Sequence, residues 1–306
     1  MIKQKNKINN FNKKKIINIP SQSIGKTQEI VIEKPQEIVI EKPMQYTLSG
    51  IYENKNDICL MNSHLKNIDA IAIYTVYRED NYLYTTLNNI NSIVTDNISI
   101  TLNIYLGNLI SNDKITSDKM IEYNNLKINI NPFNSEFITT HPPKGLLWNA
   151  SRALINYNGT NGILTFEDDI ELNANFFKYA NDIIDLIKKR SKKFIISFCN
   201  LFDDTSNNNI LNVCEHNNNH GFSGTLAMYF SYEAANQYAM HSMNADFNTL
   251  FDCEIPIFCK INDIKLYTID KTLVQHLGLH TTGCSPPGYL YSKSYNKNNI
   301  FTDIKI

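Results

Sequence analysis

Apolar side chains at nearly every step of DAIAIYTV, Asp69 to Val76, leave little freedom in how that segment is used. A strand turns alternate side chains to opposite faces, so one that is apolar throughout buries both faces, as an interior strand of a helix-covered parallel sheet does. Tyr82 to Ile93 follows with a different period: Leu83, Leu87, Ile90 and Ile93 fall on one side of a helix. Further strands are expected at Ile98 to Leu106, Leu126 to Ile130, Gly162 to Phe166, Phe194 to Cys199 and Leu226 to Ser231. Helices are expected at Gly145 to Tyr157, Ala174 to Arg190 and Tyr232 to Met240, the second of these with Lys188, Lys189 and Arg190 at its negative end. Strands alternating with helices across short links describe an α/β domain: a mixed, mostly parallel, Rossmann-like sheet with helices on both faces.

That alternation begins near Ile51. The residues before it, 1–50, read as a separate tail: Lys3, Lys5, Lys7, Lys13, Lys14 and Lys15 stand among asparagines, and QEIVIEKP then occurs twice, at Gln28 to Pro35 and Gln36 to Pro43. Two eight-residue copies cannot bury a core, and each proline bars continuous ladder pairing. A disordered linker or a basic arm for an acidic partner both fit that composition. The domain is therefore drawn over 51–306. With 42% hydrophobic residues and a net charge of -1, the chain has enough apolar mass for a core and no global attraction to nucleic acid or anionic membrane. No apolar run approaches the ~20 residues of a membrane span and the start lacks a signal-peptide pattern, so the expected compartment is cytoplasmic. Cys59, Cys199, Cys214, Cys253, Cys259 and Cys284 make no CxxC pair and no zinc spacing, in keeping with reduced thiols.

The stretch GILTFEDDIEL, Gly162 to Leu172, closes a buried strand with three acids, Glu167, Asp168 and Asp169. Packed like charges are costly unless a cation or its ligand meets them, and ligands of open α/β sheets gather at the carboxyl ends of strands. Carboxylates there suit Mg²⁺ or Mn²⁺. The competing reading makes Asp168 or Asp169 an N-cap for the following helix, although Asn173 is the better placed cap. Spacing alone leaves both open. Neither GxxxxGK[ST] nor GxGxxG is present, which removes the phosphate-loop route to a phosphohydrolase or nucleotidyltransferase.

Other segments carry polar chemistry at fixed places. Thr75 and Arg78 stand at the mouth of the first strand, where a basic side chain could meet phosphate. Ser223 to Ala239 opens on a small-residue turn, with Gly224 and Thr225, that leaves backbone N–H groups accessible. FDCEIPIF, Phe251 to Phe258, sets Asp252 and Glu254 beside a helix start or turn, and capping of a turn before Pro256 is the plainer account of Asp252. TLVQHLGLHTTG, Thr272 to Gly283, carries His276 and His280 around Gly278. His141, His216 and His220 read as solvated loop residues. Trp148 is a core residue of its helix or a platform for a sugar face, with Arg152 one turn later within reach of phosphate.

Three of these segments, in this order, resemble the N-acetylglucosaminyltransferase IV-like glycosyltransferases of the GT-A class. YTVYREDNYLYTTLNNI resembles that family's first-strand motif, LTFEDDIEL its acidic DxD-type motif, and TLVQHLGLHTTG its terminal Gln-His-Ile-Gly segment. The likeness covers Asp69 to Gly283; Tyr74 replaces a frequent Pro, Thr272 and Thr281 replace serines, and FDCEIP lacks a Trp after its Asp. The resemblance implies a GT-A fold and a manganese- or magnesium-dependent, inverting transfer of a hexosyl or N-acetylhexosaminyl group. The donor would be a nucleotide sugar, with UDP the expected nucleotide, and the acceptor a glycan or glycoprotein hydroxyl. It makes Asp169 the direct metal ligand, with His276 reaching the metal or diphosphate and His280 in reserve. Asp168 would contact ribose or metal-bound water and Glu167 the sugar hydroxyls. Thr75, Val76, Arg78, Gly224 and Thr225 would hold the donor. Asp252 would be the base, with Glu254 and Asp246 as alternatives. The reading from another class is a catalytically inactive carbohydrate-binding or structural protein on the same fold.

Overall fold

The computed structural model describes residues 65–76, 81–93, 101–107, 134–139, 145–200, 208–216, 222–242, 250–278, 292 and 294–306. The tail at 1–50, the strand expected at Leu126 to Ile130, and Arg78, His141, His220, Asp246 and His280 lie outside the described residues.

In chain order the elements are β1 (Ala70–Val76), α1 (Tyr82–Ile93), β2 (Thr101–Gly107), β3 (Asn134–Thr139), α2 (Gly145–Ile155), β4 (Gly162–Glu167), β5 (Ile170–Leu172) and α3 (Phe176–Lys188). They continue as β6 (Phe194–Ser197), β7 (Ile210–Glu215), β8 (Ala227–Ser231), α4 (Tyr232–Ser242), α5 (Phe251–Ile261), β9 (Lys265–Ile269), β10 (Val274–His276) and β11 (Asp303–Lys305). Nine strands make one sheet in the order β11-β7-β9-β6-β8-β4-β1-β2-β3, and β5 and β10 pair separately. Within the large sheet five of the eight pairings are parallel; β8 runs against both β4 and β6, and β7 against β9. The fold is the mixed, mostly parallel α/β sheet expected from the alternation.

Helices cover both faces because the central strands are apolar on both. Ile71, Ile73, Leu164, Phe166 and Ile196 turn to one side and pack with Leu83, Leu87 and Ile90 of α1 and Phe176, Ile183 and Ile187 of α3. Ala72, Tyr74, Ile163, Ile195 and Phe230 turn to the other and pack with residues of α2, α4 and α5. Among the described residues no helix is long and apolar enough to cross a membrane.

One helix start differs from expectation. Helix α3 begins at Phe176, not Ala174, and its N-cap Asn175 makes no side-chain cap. Asn173 instead accepts from the Asn175 N–H at 2.8 Å and donates to the carbonyls of Asn296 and Asn299, tying the C-terminal segment to this turn. Of the helix start or turn expected at FDCEIPIF, the structure has the helix start, and that helix runs on through Pro256. Phe251, Ile255, Phe258 and Cys259 are buried at helical spacing, and that face outweighs the one hydrogen bond that residue 256 cannot give the Asp252 carbonyl.

Candidate active site at the carboxyl edge of the sheet

Strands β1 and β4 are parallel neighbours with Tyr74 opposite Glu167, so Thr75 and the acid triplet come to the same edge. Strand β8 is antiparallel to β4 and starts where β4 ends, which brings Gly224 and Thr225, just before it, to that edge as well. The Glu167 N–H bonds the Leu226 carbonyl at 2.9 Å and continues this pairing. Strand β9 also ends here, because it parallels β6, and the chain then passes into β10.

Asp168 and Asp169 form the two-residue link between β4 and β5, and helix α1 holds that link in place. The Thr86 hydroxyl donates to the Asp168 carbonyl at 2.7 Å and accepts from the Ile170 N–H at 3.0 Å. One turn on, Asn89 Oδ1 accepts from the Leu172 N–H at 2.7 Å. Neither Thr86 nor Asn89 stood out in the sequence, yet both sit beside the Leu83, Leu87 and Ile90 stripe. Polar residues on the buried side of an amphipathic helix were the available signal.

The three acids diverge. Asp168 is buried and turns toward β1, where its Oδ2 accepts from the Thr75 hydroxyl at 2.6 Å. Asp169 turns toward β10. The antiparallel β5–β10 pair sets His276 opposite Ile170, and the Leu277 N–H bonds the Asp169 carbonyl at 2.6 Å. His276 Nε2 and Asp169 Oδ2 are then 3.1 Å apart, both side chains only 7% exposed. Glu167 turns toward β8 and accepts from the Thr225 hydroxyl at 3.0 Å.

Across Thr225 stands Asp252, in the first turn of α5, with Oδ1 3.4 Å from the Gly224 N–H. Burial, then the charges of Asp169 and Asp252, push the Glu167 carboxyl well above the usual range, against the pull of the Thr225 hydroxyl. Burial also raises Asp252 above its ordinary 3.8, opposed by hydrogen bonds from Thr225 and Gly224. Thr225 is thus the shared partner of two acids drawn from distant parts of the chain.

Of the other expected site residues, Glu254 stands apart from this cluster. Glu254 points to the far side of its helix and meets His241 Nε2 at 2.5 Å. Val76 is the half-buried last residue of β1. Trp148 is half-buried, with the Arg152 guanidinium 5.9 Å from its ring centroid, so each already engages the other. His216 is a correction to the sequence reading. It packs edge-on against Phe222, centroids 5.5 Å apart, because its strand end lies under the segment leading into β8.

The Asp169–His276 pair fits a divalent cation in its chemistry and its spacing. Carboxylate oxygen suits Mn²⁺, and a neutral imidazole nitrogen is a common metal ligand. Neighbouring corners of an octahedron with bonds of ~2.1 Å lie about 3 Å apart, the separation the two donors already have. A Cβ built on Gly278 would fall 2.5 Å from Asp169 Oδ2 and 3.0 Å from His276 Nε2, so both donor tips lie against the face of residue 278 that carries no side chain. Among the described residues no group of three or more His, Cys, Asp or Glu side chains gathers as a complete metal cage. Two protein ligands with the rest from phosphate and water is the usual arrangement for a hard cation at a nucleotide site.

No protein-family model and no curated protein matches the chain in sequence. Solved structures similar to it include residues 1–349 of TarS from S. aureus, with a TM-score of 0.44 and 13% identity over 67% of this chain and 59% of that one. A longer S. aureus TarS structure gives 0.45 and 12% over 69% and 36%. The chain therefore spans less than two thirds of either structure, and at TM-scores this low neither similarity bears on substrate or chemistry.

Proposed function

We propose that this chain is a metal-dependent glycosyltransferase of the GT-A class, its catalytic domain over 51–306. It would move a sugar from a nucleotide-sugar donor, a UDP-sugar, to a hydroxyl of a glycan or glycoprotein, with inversion. The observation that carries this reading is the convergence of two separate pairs at one sheet edge: Asp169 with His276 at 3.1 Å, and Glu167 with Asp252 across Thr225. One pair suits a cation and the other suits sugar hydroxyls and a proton.

Asp169 and His276 would hold Mn²⁺ or Mg²⁺ between them. When bound, such an ion neutralises the charge that a departing nucleoside diphosphate gains. Thr75 positions Asp168 through their 2.6 Å bond, and that carboxylate would contact the donor's ribose or a metal-bound water. Glu167, whose carboxyl is pushed up by burial and by its acidic neighbours, would hydrogen-bond a sugar hydroxyl. Asp252 takes the proton of the acceptor hydroxyl as that oxygen forms its bond to the anomeric carbon. The bond from that carbon to the diphosphate oxygen breaks, and the electron pair leaves with the nucleotide. A base is most effective with its pKa moved toward the working pH, and the raised Asp252 carboxyl moves in that direction. Arg78 keeps the nucleotide-phosphate role implied by its motif.

Thermal unfolding with UDP, GDP and CDP, each with and without Mn²⁺, tests this directly. A ligand at a hundred times its Kd adds about 2.7 kcal/mol, or ~5 °C for a domain of this size. One nucleotide should stabilise the protein only with the metal, and Asp169→Ala should abolish that shift. If no nucleotide–metal pair moves the wild type, the donor site is lost and a non-catalytic glycan binder becomes the better account. The anomeric configuration of the product, read by NMR, tests inversion separately.

A further inference from the structure

Glycines resist substitution for two different reasons, and Gly278 separates them. Its φ lies outside the positive range that reserves a position for glycine, so backbone conformation alone would admit any residue. Space is the restriction: a Cβ would fall 2.5 Å from Asp169 Oδ2, 2.8 Å from His276 Cε1 and 3.0 Å from His276 Nε2. Other described glycines crowd different partners. A Cβ at Gly162 would meet the Tyr229 ring, and one at Gly224 would meet Ser197 and the Cys199 carbonyl. Gly278 alone among these approaches the tips of Asp169 and His276, the atoms offered as metal ligands.

We propose that Gly278 is a positioning residue of the metal site, whose missing side chain lets the tips of Asp169 and His276 stand at the spacing a divalent cation needs. This rests on the metal-dependent reading above. A methyl group at 278 would press on both donor tips and force them off the spacing they now have. The fold can relieve that methyl cheaply, because only the ends of two side chains need to move, but those ends are the donors. The Leu277 N–H bond to the Asp169 carbonyl, at 2.6 Å, holds the backbone of residue 278 close to the pair and removes the easier escape of shifting the loop. Substitution should therefore separate metal affinity from folding.

The experiment compares the wild-type full chain with Gly278→Ala, Asp169→Ala and the double variant. Mn²⁺ alone is titrated and followed by water-proton relaxation, and unfolding is measured without metal. Gly278→Ala should keep the wild-type circular dichroism spectrum and lose about 10–100-fold in Mn²⁺ affinity, the usual cost of disturbing what orients a ligand. Its stability cost should shrink in the Asp169→Ala background, where the nearest colliding atom is gone. Wild-type Mn²⁺ affinity in Gly278→Ala overturns the role of Gly278 and leaves the metal reading intact. A wild type that binds no Mn²⁺ overturns both. If Gly278→Ala folds only when Asp169 is also replaced, the collision is established. If it fails in both backgrounds, residue 278 serves the fold and the proposal falls.

Discussion

At the amino end of β1, half-buried Asp69 accepts from the Tyr157 hydroxyl at 2.6 Å and from the N–H groups of Thr160 and Asn161 at 2.6 and 2.8 Å. Nearby, Asp185 takes the Asn67 amide at 2.7 Å and the Lys66 ammonium at 2.5 Å. At the carboxyl end of the same sheet, Glu167 and Asp252 have Thr225 between them, and their nearest charges are other acids. The chain supplies donors to carboxylates at both ends, but at the carboxyl end one threonine, Thr225, serves two acids, whereas Asp69 and Asp185 each have several donors of their own. Where donors surround the acid, it ties a loop to a strand. Where acids crowd together, burial raises both Glu167 and Asp252, and the neighbouring carboxylates raise Glu167 further. The contrast separates scaffold from site without appeal to any relative.

Asp252→Asn tests the carboxyl end with the largest expected effect. Loss of a general base should lower kcat by about 10²–10⁴-fold. The same change should stabilise the protein near pH 7. Burial raises the Asp252 carboxyl above 3.8 in the folded state, so its stabilising contribution is present below that value and lost as pH rises through the folded pKa. An amide escapes that loss. Denaturant unfolding at pH 4 and pH 7 should show the variant's advantage growing with pH. A variant that is active, or less stable at pH 7, would move Asp252 into the class of Asp69.

The two ends also differed in how far their sequence announced them. Strands β1 and β4 and helix α1 were readable because each repeats a period over six residues or more, and the acids were conspicuous on a buried strand. Strands β5 and β10 have three residues each and exist through pairing with one another across the chain, so no local pattern marks them. That pairing is what puts His276 beside Asp169, which the sequence indicated only through a resemblance. Thr225 read as a small-residue turn; its place between two acids depends on β8 running antiparallel to β4. Helix α5 was obscured by Pro256, whose local penalty was overruled by a buried face. Asp69, which anchors the opposite end, was read as the first residue of a strand.

Asp69→Ala tests that opposite end. It strands the buried Tyr157 hydroxyl and releases the exposed N–H groups of Thr160 and Asn161 to water, and should cost about 1–2 kcal/mol. The nucleotide-with-Mn²⁺ shift in melting temperature should persist in full, measured against the variant's own metal-free baseline. A variant that is destabilised and has also lost the ligand response would couple the two ends and break the division between scaffold and site.

Asp185→Asn should give the smallest effect. Burial acts to raise the Asp185 carboxyl, but hydrogen bonds from Lys66 and Asn67 and the charges of Lys66 and Lys188 outweigh it and hold the group below 3.8. Its side chain is 34% exposed and that of Lys66 53%, so solvent screens the pair, and the loss at pH 7 should stay near 0.5 kcal/mol or less. The sign opposes that of Asp252. A folded pKa below the unfolded one gives stability that is present above 3.8 and lost as pH falls through the folded value. Asp185→Asn should therefore be slightly less stable than wild type at pH 7 and indistinguishable from it in strong acid, whereas the Asp252→Asn difference grows in the other direction. Two acids on helices of one domain, each changed by a single heavy atom, should thus bend the pH–stability curve in opposite senses, and parallel curves would show that their surroundings do not differ as the hydrogen bonds indicate.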